Sequence, residues 1–245
     1  MVEIRPFLQF VYFVPHAITA QPKIIMQLLN EFQDWSLLPT TVPGFQLNGD
    51  QGLNQVMQLQ LISEKKDLVI NFEPQRYNIQ FNSIPGKEIL KIEECSEKIF
   101  RIITTLNRLV PYKATRLSVV TKSICKKMSL EEINHINENL FSLPKIFNEN
   151  HPVEWNTRQV IRKEINIKDR VELINIVFDI GKIQILSLQE GHGVPEDRIE
   201  LGFDINTYQA NLAQRFSPEY IIPFINETVR IQNEIEKEMK DLCYA

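Results

Sequence analysis

The sequence predicts an α+β protein made of two tandem pseudo-repeats, each with the order strand, helix, antiparallel strands, helix. Two observations support this prediction: several short strand-like segments are separated by polar turns, and the same order of elements is found on both sides of Pro111. Strands that meander through short turns pair antiparallel, so the helices are expected on one face of a saddle-like sheet. The predicted halves are residues 1–111 and 112–245, packed as one unit because no linker separates them.

In the first half, residues 5–14 are apolar and rich in strand-forming residues, which predicts a buried strand. Apolar residues at helical spacing predict a helix from Pro22 to Trp35, with proline at its first position. Pro39, Pro43 and Gly44 predict an irregular connection over residues 36–53. The remaining elements are three strands and a long helix, at residues 54–63, 67–73, 76–84 and 89–110.

The second half begins with a strand predicted from Ala114 to Lys126. Ser129 and Glu132 have the spacing of a capping box, so a helix is expected to begin after Ser129. A final amphipathic helix follows Ser217. Between these helices the predicted strands are residues 153–167, 171–180, 182–189 and 198–206.

Composition limits the kind of function. The chain has 245 residues, of which 24% are charged, and its formal net charge of −4 disfavours a uniformly basic nucleic-acid binder, although a local basic patch stays open. Three cysteines without metal-ligand spacing favour a reducing, cytoplasmic location. No apolar run approaches the roughly 20 residues of a membrane-spanning helix, so no membrane association is expected.

Motifs with known chemistry are not found. The sequence contains no dinucleotide fingerprint, phosphate loop, zinc-protease motif or serine nucleophile elbow, and its histidines lack metal-ligand spacing, so neither a cofactor nor a metal is expected. The segment most similar to a site is Glu190-Gly191-His192-Gly193, where glycines beside a histidine would let a ligand approach. It is interpreted either as an unrecognised enzyme site near His192 or as a simple connection between strands.

Alternation along the strands separates two faces of the predicted sheet. One face carries apolar residues, beginning with Met57, and the other is rich in amides with few charges. The residues proposed for binding are the amides of that second face together with basic residues predicted beside it: Gln58, Gln60, Asn78, Gln80, Lys122, Lys126, Arg158 and Arg162. The alternative is an ordinary solvated sheet face.

Three functions follow from these residues. The first is a non-catalytic binding or assembly protein that recognises a partner protein. The second is a nucleic-acid-binding module, which requires Lys163 and the four basic residues above to converge on the amide face. The third is an enzyme acting near His192, with the oligomeric state open in each case.

The stretch Leu201-Gly202-Phe203-Asp204-Ile205-Asn206-Thr207-Tyr208, followed by the helix after Ser217, resembles the C-terminal signature of a sporadically distributed family of uncharacterised bacterial proteins. The start of the chain is similar too, because Val14-Pro15 lies between a strand and an amphipathic helix. Phe203 stands where the family pattern has leucine. The resemblance implies no catalytic residue, and the patchy distribution implies a mobile-element or antiviral defence context.

Overall fold

The computed structural model describes residues 2–15, 21–47, 53–84, 89–141, 150, 152–189 and 192–244. These residues form one nine-stranded antiparallel sheet and four α-helices. The strands are β1 (Val2–Phe13), β2 (Leu37–Leu47), β3 (Leu53–Ser63), β4 (Leu68–Glu73), β5 (Arg76–Asn82), β6 (Arg116–Cys125), β7 (Trp155–Ile167), β8 (Arg170–Gln189) and β9 (His192–Thr207). The helices are α1 (Pro22–Glu31), α2 (Ile92–Leu109), α3 (Leu130–Leu140) and α4 (Ile221–Tyr244).

The sheet runs in the order β2-β3-β4-β5-β1-β6-β9-β8-β7. The predicted fold class, with two tandem pseudo-repeats in a saddle-like arrangement, is wrong: the protein is mostly one continuous sheet. β1 pairs with β6 from Val2↔Cys125 to Phe13↔Arg116, so no boundary divides the sheet. The strands also differ between the two parts of the chain, because β7, β8 and β9 have 13, 20 and 16 residues whereas β4 and β5 have 6 and 7.

The prediction of an irregular connection over residues 36–53 is also wrong, since β2 occupies much of that segment. β2 pairs with β3 along its whole length, from Leu37↔Ser63 to Leu47↔Leu53. It lies at the edge of the sheet, where a proline is tolerated if the backbone position that lacks an N–H group faces away from the neighbouring strand. Pro39 and Pro43 are therefore compatible with a strand here, although they indicated a loop in the sequence.

β8 is one strand, although the sequence predicted two strands with a turn at Gly181. Gly181 lies in register with Asn156 of β7. A Cβ atom at this position would lie 3.0 Å from the Asn156 Cβ and 3.0 Å from the Trp155 carbonyl oxygen. The glycine therefore allows β7 to approach closely rather than turning the chain.

All four helices share hydrophobic clusters with one face of the sheet. The larger cluster joins Leu28 of α1, Ile102 of α2 and Phe224 of α4 to strand residues from both halves of the chain, such as Ile79 and Val119. The smaller cluster packs α3 against β6, β8 and β9. The predicted capping box at the start of α3 is confirmed. The Glu132 N–H donates to Ser129 Oγ, and the Ser129 N–H donates to the Glu132 carboxylate.

The other face of the sheet turns away from the helices, and we call it the open face. Val11, Val69 and Val177 on this face are buried, yet they belong to neither hydrophobic cluster. Their burial comes from neighbours on the sheet itself. The open face is therefore a separate surface, whose side chains are placed by strand register alone.

Candidate binding face

A line of polar side chains crosses eight strands of the open face in direct cross-strand register. Each residue is the pairing partner of the next, and five of the eight members are asparagine or glutamine. Val11 is the apolar member. We call this line the amide row, and its members from β3 to β7 are Gln60, Asn71, Asn78, Val11, Ser118, Asn206, Asn175 and Arg162.

One half of the row is a directed chain of hydrogen bonds. Arg162 Nε donates to Asn175 Oδ1 at 3.1 Å, and Asn175 Nδ2 donates to Asn206 Oδ1 at 3.0 Å. Asn206 Nδ2 and Ser118 Oγ then both donate to Asp204 Oδ1 at 2.9 Å. Because a guanidinium only donates and a carboxylate only accepts, the two ends of the chain fix the orientation of both amides between them.

The other half of the row makes shorter links. Gln60 Nε2 donates to Asn71 Oδ1 at 2.7 Å, and the Asn78 amide donates to the Glu73 carboxylate. Beside the row, Gln80 Nε2 donates to Asn82 Oδ1 at 2.8 Å. Hydrogen bonds therefore hold these amides of β3, β4 and β5 in place in the unliganded chain, Asn78 through the Glu73 carboxylate and the others through each other.

Accessibility divides the face into two parts. The central members Asn78, Ser118, Asn206 and Asn175 are buried, so they support the surface rather than contact a ligand. Half-buried amides of β3, β4 and β5 stay accessible, namely Gln58, Gln60, Asn71, Gln80 and Asn82.

The charges of the open face are largely paired with one another. Lys122 Nζ lies 3.0 Å from Glu200 Oε1, and Arg158 Nη1 lies 3.3 Å from Asp179 Oδ2. At the end of β5, Arg76 Nη2 lies 2.6 Å from Glu73 Oε2. The face is therefore polar but close to electroneutral.

Two arginines contact aromatic rings at one end of the face. The guanidinium carbon of Arg116 lies 4.7 Å from the centroid of the Phe13 ring, and that of Arg162 lies 4.7 Å from the Tyr208 ring. Burial lowers the pKa of Arg116, with Arg76 adding to this effect and Asp204 opposing it. Both cations are held over rings, Arg116 as a half-buried residue and Arg162 as an exposed one.

The structure brings most of the proposed binding residues to one face. Gln58, Gln60, Asn78 and Gln80 lie on the open face, as do Lys122, Arg158 and Arg162. Lys126 follows β6 as an exposed residue beyond the sheet. Lys163 lies on the opposite face, because it pairs with Ile174 of the hydrophobic core.

Sequence reasoning missed Ser118, Asn175 and Asn206 of the row, and also Asp204, which accepts hydrogen bonds from two of them. Alternation in β9 offered a signal, since Asp204 and Asn206 share a side between the apolar Phe203 and Ile205. Their approach to Asn175 depends on the pairing of β9 with β8, which is not a local property of either strand.

The segment around His192 is a hairpin in which His192 pairs with Gln189, while Glu190 and Gly191 lie outside the described residues. Among the residues that the structure describes, no cluster of histidine, cysteine, aspartate and glutamate is arranged to hold a metal ion. A pocket of about 420 Å³ lies at the start of β7, beside residues 182–184 of β8 and Asp197 of β9. Its lining includes Lys182 and Asp197, which form an ion pair at 3.0 Å with each other.

Comparison of the chain with family models, with curated proteins and with solved structures found no match. The resemblance of residues 201–208 to a bacterial family therefore stays a prediction. None of the helices in the described part of the chain combines the length and the apolar character needed to cross a membrane.

Proposed function

We propose that this protein is a non-catalytic binding protein that recognises a partner protein through the accessible amides of β3, β4 and β5. The observation that supports this proposal is the amide row, an oriented and nearly electroneutral set of hydrogen-bonding groups on the open face. A peptide chain presents alternating N–H donors and C=O acceptors, and a side-chain amide offers both kinds of group. The surface therefore matches uncharged polar segments of another protein.

The supporting part of the row reduces the cost of binding. An amide that is free in solution loses rotational freedom when it contacts a partner, which opposes association. Here Gln60 is bonded to Asn71 and Gln80 is bonded to Asn82 in the unliganded chain. Much of that ordering has already occurred on folding.

Nucleic acid is the less favoured ligand. Binding a phosphate backbone depends on cations that exchange their counterions for phosphates. On the open face Lys122 and Arg158 are already paired with carboxylates, and Lys163 lies on the other face. In the part of the chain that the structure describes, these pairings leave few unpaired cations beside the accessible amides.

The expected partner belongs to a bacterial defence or mobile-element system, an expectation that rests on the resemblance of residues 201–208 alone. The product of a gene beside this one is the first protein to test for binding.

The test is affinity capture from the native host with tagged wild type, a Gln60→Ala/Gln80→Ala variant and a matched Gln27→Ala/Gln33→Ala control. The control glutamines are exposed residues of α1 and of the turn that follows it. Two lost hydrogen bonds of about 1 kcal/mol each weaken binding roughly 30-fold. We expect a partner that survives nuclease treatment, is retained by the control and is lost from the face variant.

Two results would overturn the proposal. One is a partner that binds the face variant as tightly as it binds wild type. The other is recovery of nucleic acid alone, with binding abolished by moderate salt, which would favour the nucleic-acid reading.

A further inference from the structure

The two edges of the sheet are chemically different. β2 carries Pro39 and Pro43, which lack the N–H groups that another strand would need. β7 has 13 residues and no proline. It pairs with β8 on one side from Trp155↔Lys182 to Ile167↔Arg170, and no strand in the described ranges pairs with its other side. β7 therefore offers a ladder of donors and acceptors that no proline interrupts.

The middle of this edge is apolar and exposed. Val160 is 55% exposed and Ile161 is 57% exposed, and as consecutive residues of a strand they point to opposite faces of the sheet. Edge strands that stay unpaired are usually protected by prolines, bulges or inward-pointing charges. The centre of β7 has no proline, and Lys163 is its charged residue on the core face.

The charges of β7 are complementary to those of a second, antiparallel copy of the same strand. We infer that the outer edge of β7 pairs antiparallel with β7 of a second copy of this chain, about a two-fold axis at Ile161. Antiparallel partners share a face of the sheet, so only registers with one residue on the axis are allowed. With Ile161 on the axis, Arg158 of each copy lies opposite Glu164 of the other.

The neighbouring registers are unfavourable. An axis at Val160 places Arg158 opposite Arg162, and an axis at Arg162 places that arginine opposite its own copy. Like charges that face each other directly across two strands are destabilising. The register at Ile161 also places Lys163 opposite the neutral Gln159, so the charges favour this pairing over the two neighbouring registers.

The first test measures the mass of the wild-type protein in solution by light scattering or sedimentation equilibrium over a range of concentrations. We expect a concentration-dependent species of twice the 28.7 kDa chain mass. A chain that is monomeric at every concentration would overturn the inference.

The second test uses charge reversal to read the register. Arg158→Glu gives a strand with carboxylates at positions 158 and 164, and Glu164→Arg gives a strand with guanidinium groups at both. Each variant alone places two like-charge pairs across the axis, so its dimer is expected to be roughly 30-fold weaker than that of wild type. An equimolar mixture restores two opposite-charge pairs and is expected to form a mixed dimer.

The mixture also separates loss of pairing from loss of folding, since a misfolded chain would not recover by mixing. Arg158→Glu additionally loses the ion pair with Asp179, so circular dichroism is recorded for each variant. Glu131→Arg on the exposed surface of α3 is the control and is expected to dimerise like wild type. Single variants that dimerise as tightly as wild type, or a mixture of folded variants that stays monomeric, would rule out this register.

Discussion

Substitution of Asn175 measures how strongly the hydrogen bonds of the amide row stabilise the fold. Its Oδ1 accepts from Arg162 Nε at 3.1 Å, and its Nδ2 donates to Asn206 Oδ1 at 3.0 Å and to Gln209 Oε1 at 2.9 Å. Asn175→Ala removes all three hydrogen bonds. At about 1 kcal/mol each, the free energy of unfolding is expected to fall by about 3 kcal/mol.

Urea denaturation followed by circular dichroism measures this change. With a slope of about 3 kcal/mol/M, the midpoint is expected to move down by about 1 M. Asn156→Ala is the matched control, because Asn156 is an exposed asparagine on the neighbouring strand. Its effect is expected to stay within about 0.5 kcal/mol.

Asn175→Asp separates the donated bonds from the accepted one. The carboxylate keeps the shape of the side chain and the acceptor for Arg162, but it cannot donate to Asn206 or Gln209. A loss of about 2 kcal/mol is expected. A fall in the free energy of unfolding of less than about 1 kcal/mol for Asn175→Ala, or no larger than that of Asn156→Ala, would show that these hydrogen bonds do not stabilise the face.

Two further predictions concern buried charges. Arg215 Nε lies 2.9 Å from Glu172 Oε1, and both side chains are buried. Because Arg215→Met leaves an unpaired buried carboxylate, the free energy of unfolding measured by urea denaturation is expected to fall by about 3–5 kcal/mol. A fall of less than about 1 kcal/mol would contradict this. Burial raises the pKa of Glu236 above its ordinary value of 4.5, while Arg5 opposes the shift. The protonated form therefore stabilises the fold below the unfolded pKa, and this contribution is lost as pH rises through the folded pKa. Glu236→Gln is expected to flatten the dependence of thermal stability on pH in that window, and an unchanged slope would refute it.

Local alternation was sufficient to assign the faces of β3, β4 and β5. A strand directs successive side chains to opposite faces, so Gln60, Asn78 and Gln80 could be separated from the apolar positions without knowing the partners of each strand. Met57 shows the limit of this argument. It shares the parity of the core residues Leu59 and Leu61, yet it is 61% exposed because a face assignment does not show how far the core extends along a strand.

Strand order and register could not be predicted from the same pattern. The pairing of β1 with β6 joins residues more than a hundred positions apart, and it places Val11 beside Ser118. Nothing in either segment alone specifies this contact. Proline and glycine gave wrong predictions for a related reason. Pro39 fits a strand because that strand is at the sheet edge, and Gly181 fits one because β7 approaches it closely. Both are properties of the assembled sheet.

The two proposals are linked by the position of Arg162, which ends the amide row and lies on β7 beside Ile161. A two-fold axis perpendicular to the sheet keeps the open faces of both copies on the same side. A dimer through β7 would therefore present two amide rows on one continuous surface, with Arg162 of each copy opposite Val160 of the other. A partner with two matching segments would then bind with an avidity that neither face provides alone. Glu164→Arg should reduce capture of such a partner without changing the amides that contact it, whereas Gln60→Ala/Gln80→Ala should reduce capture without changing the mass of the dimer.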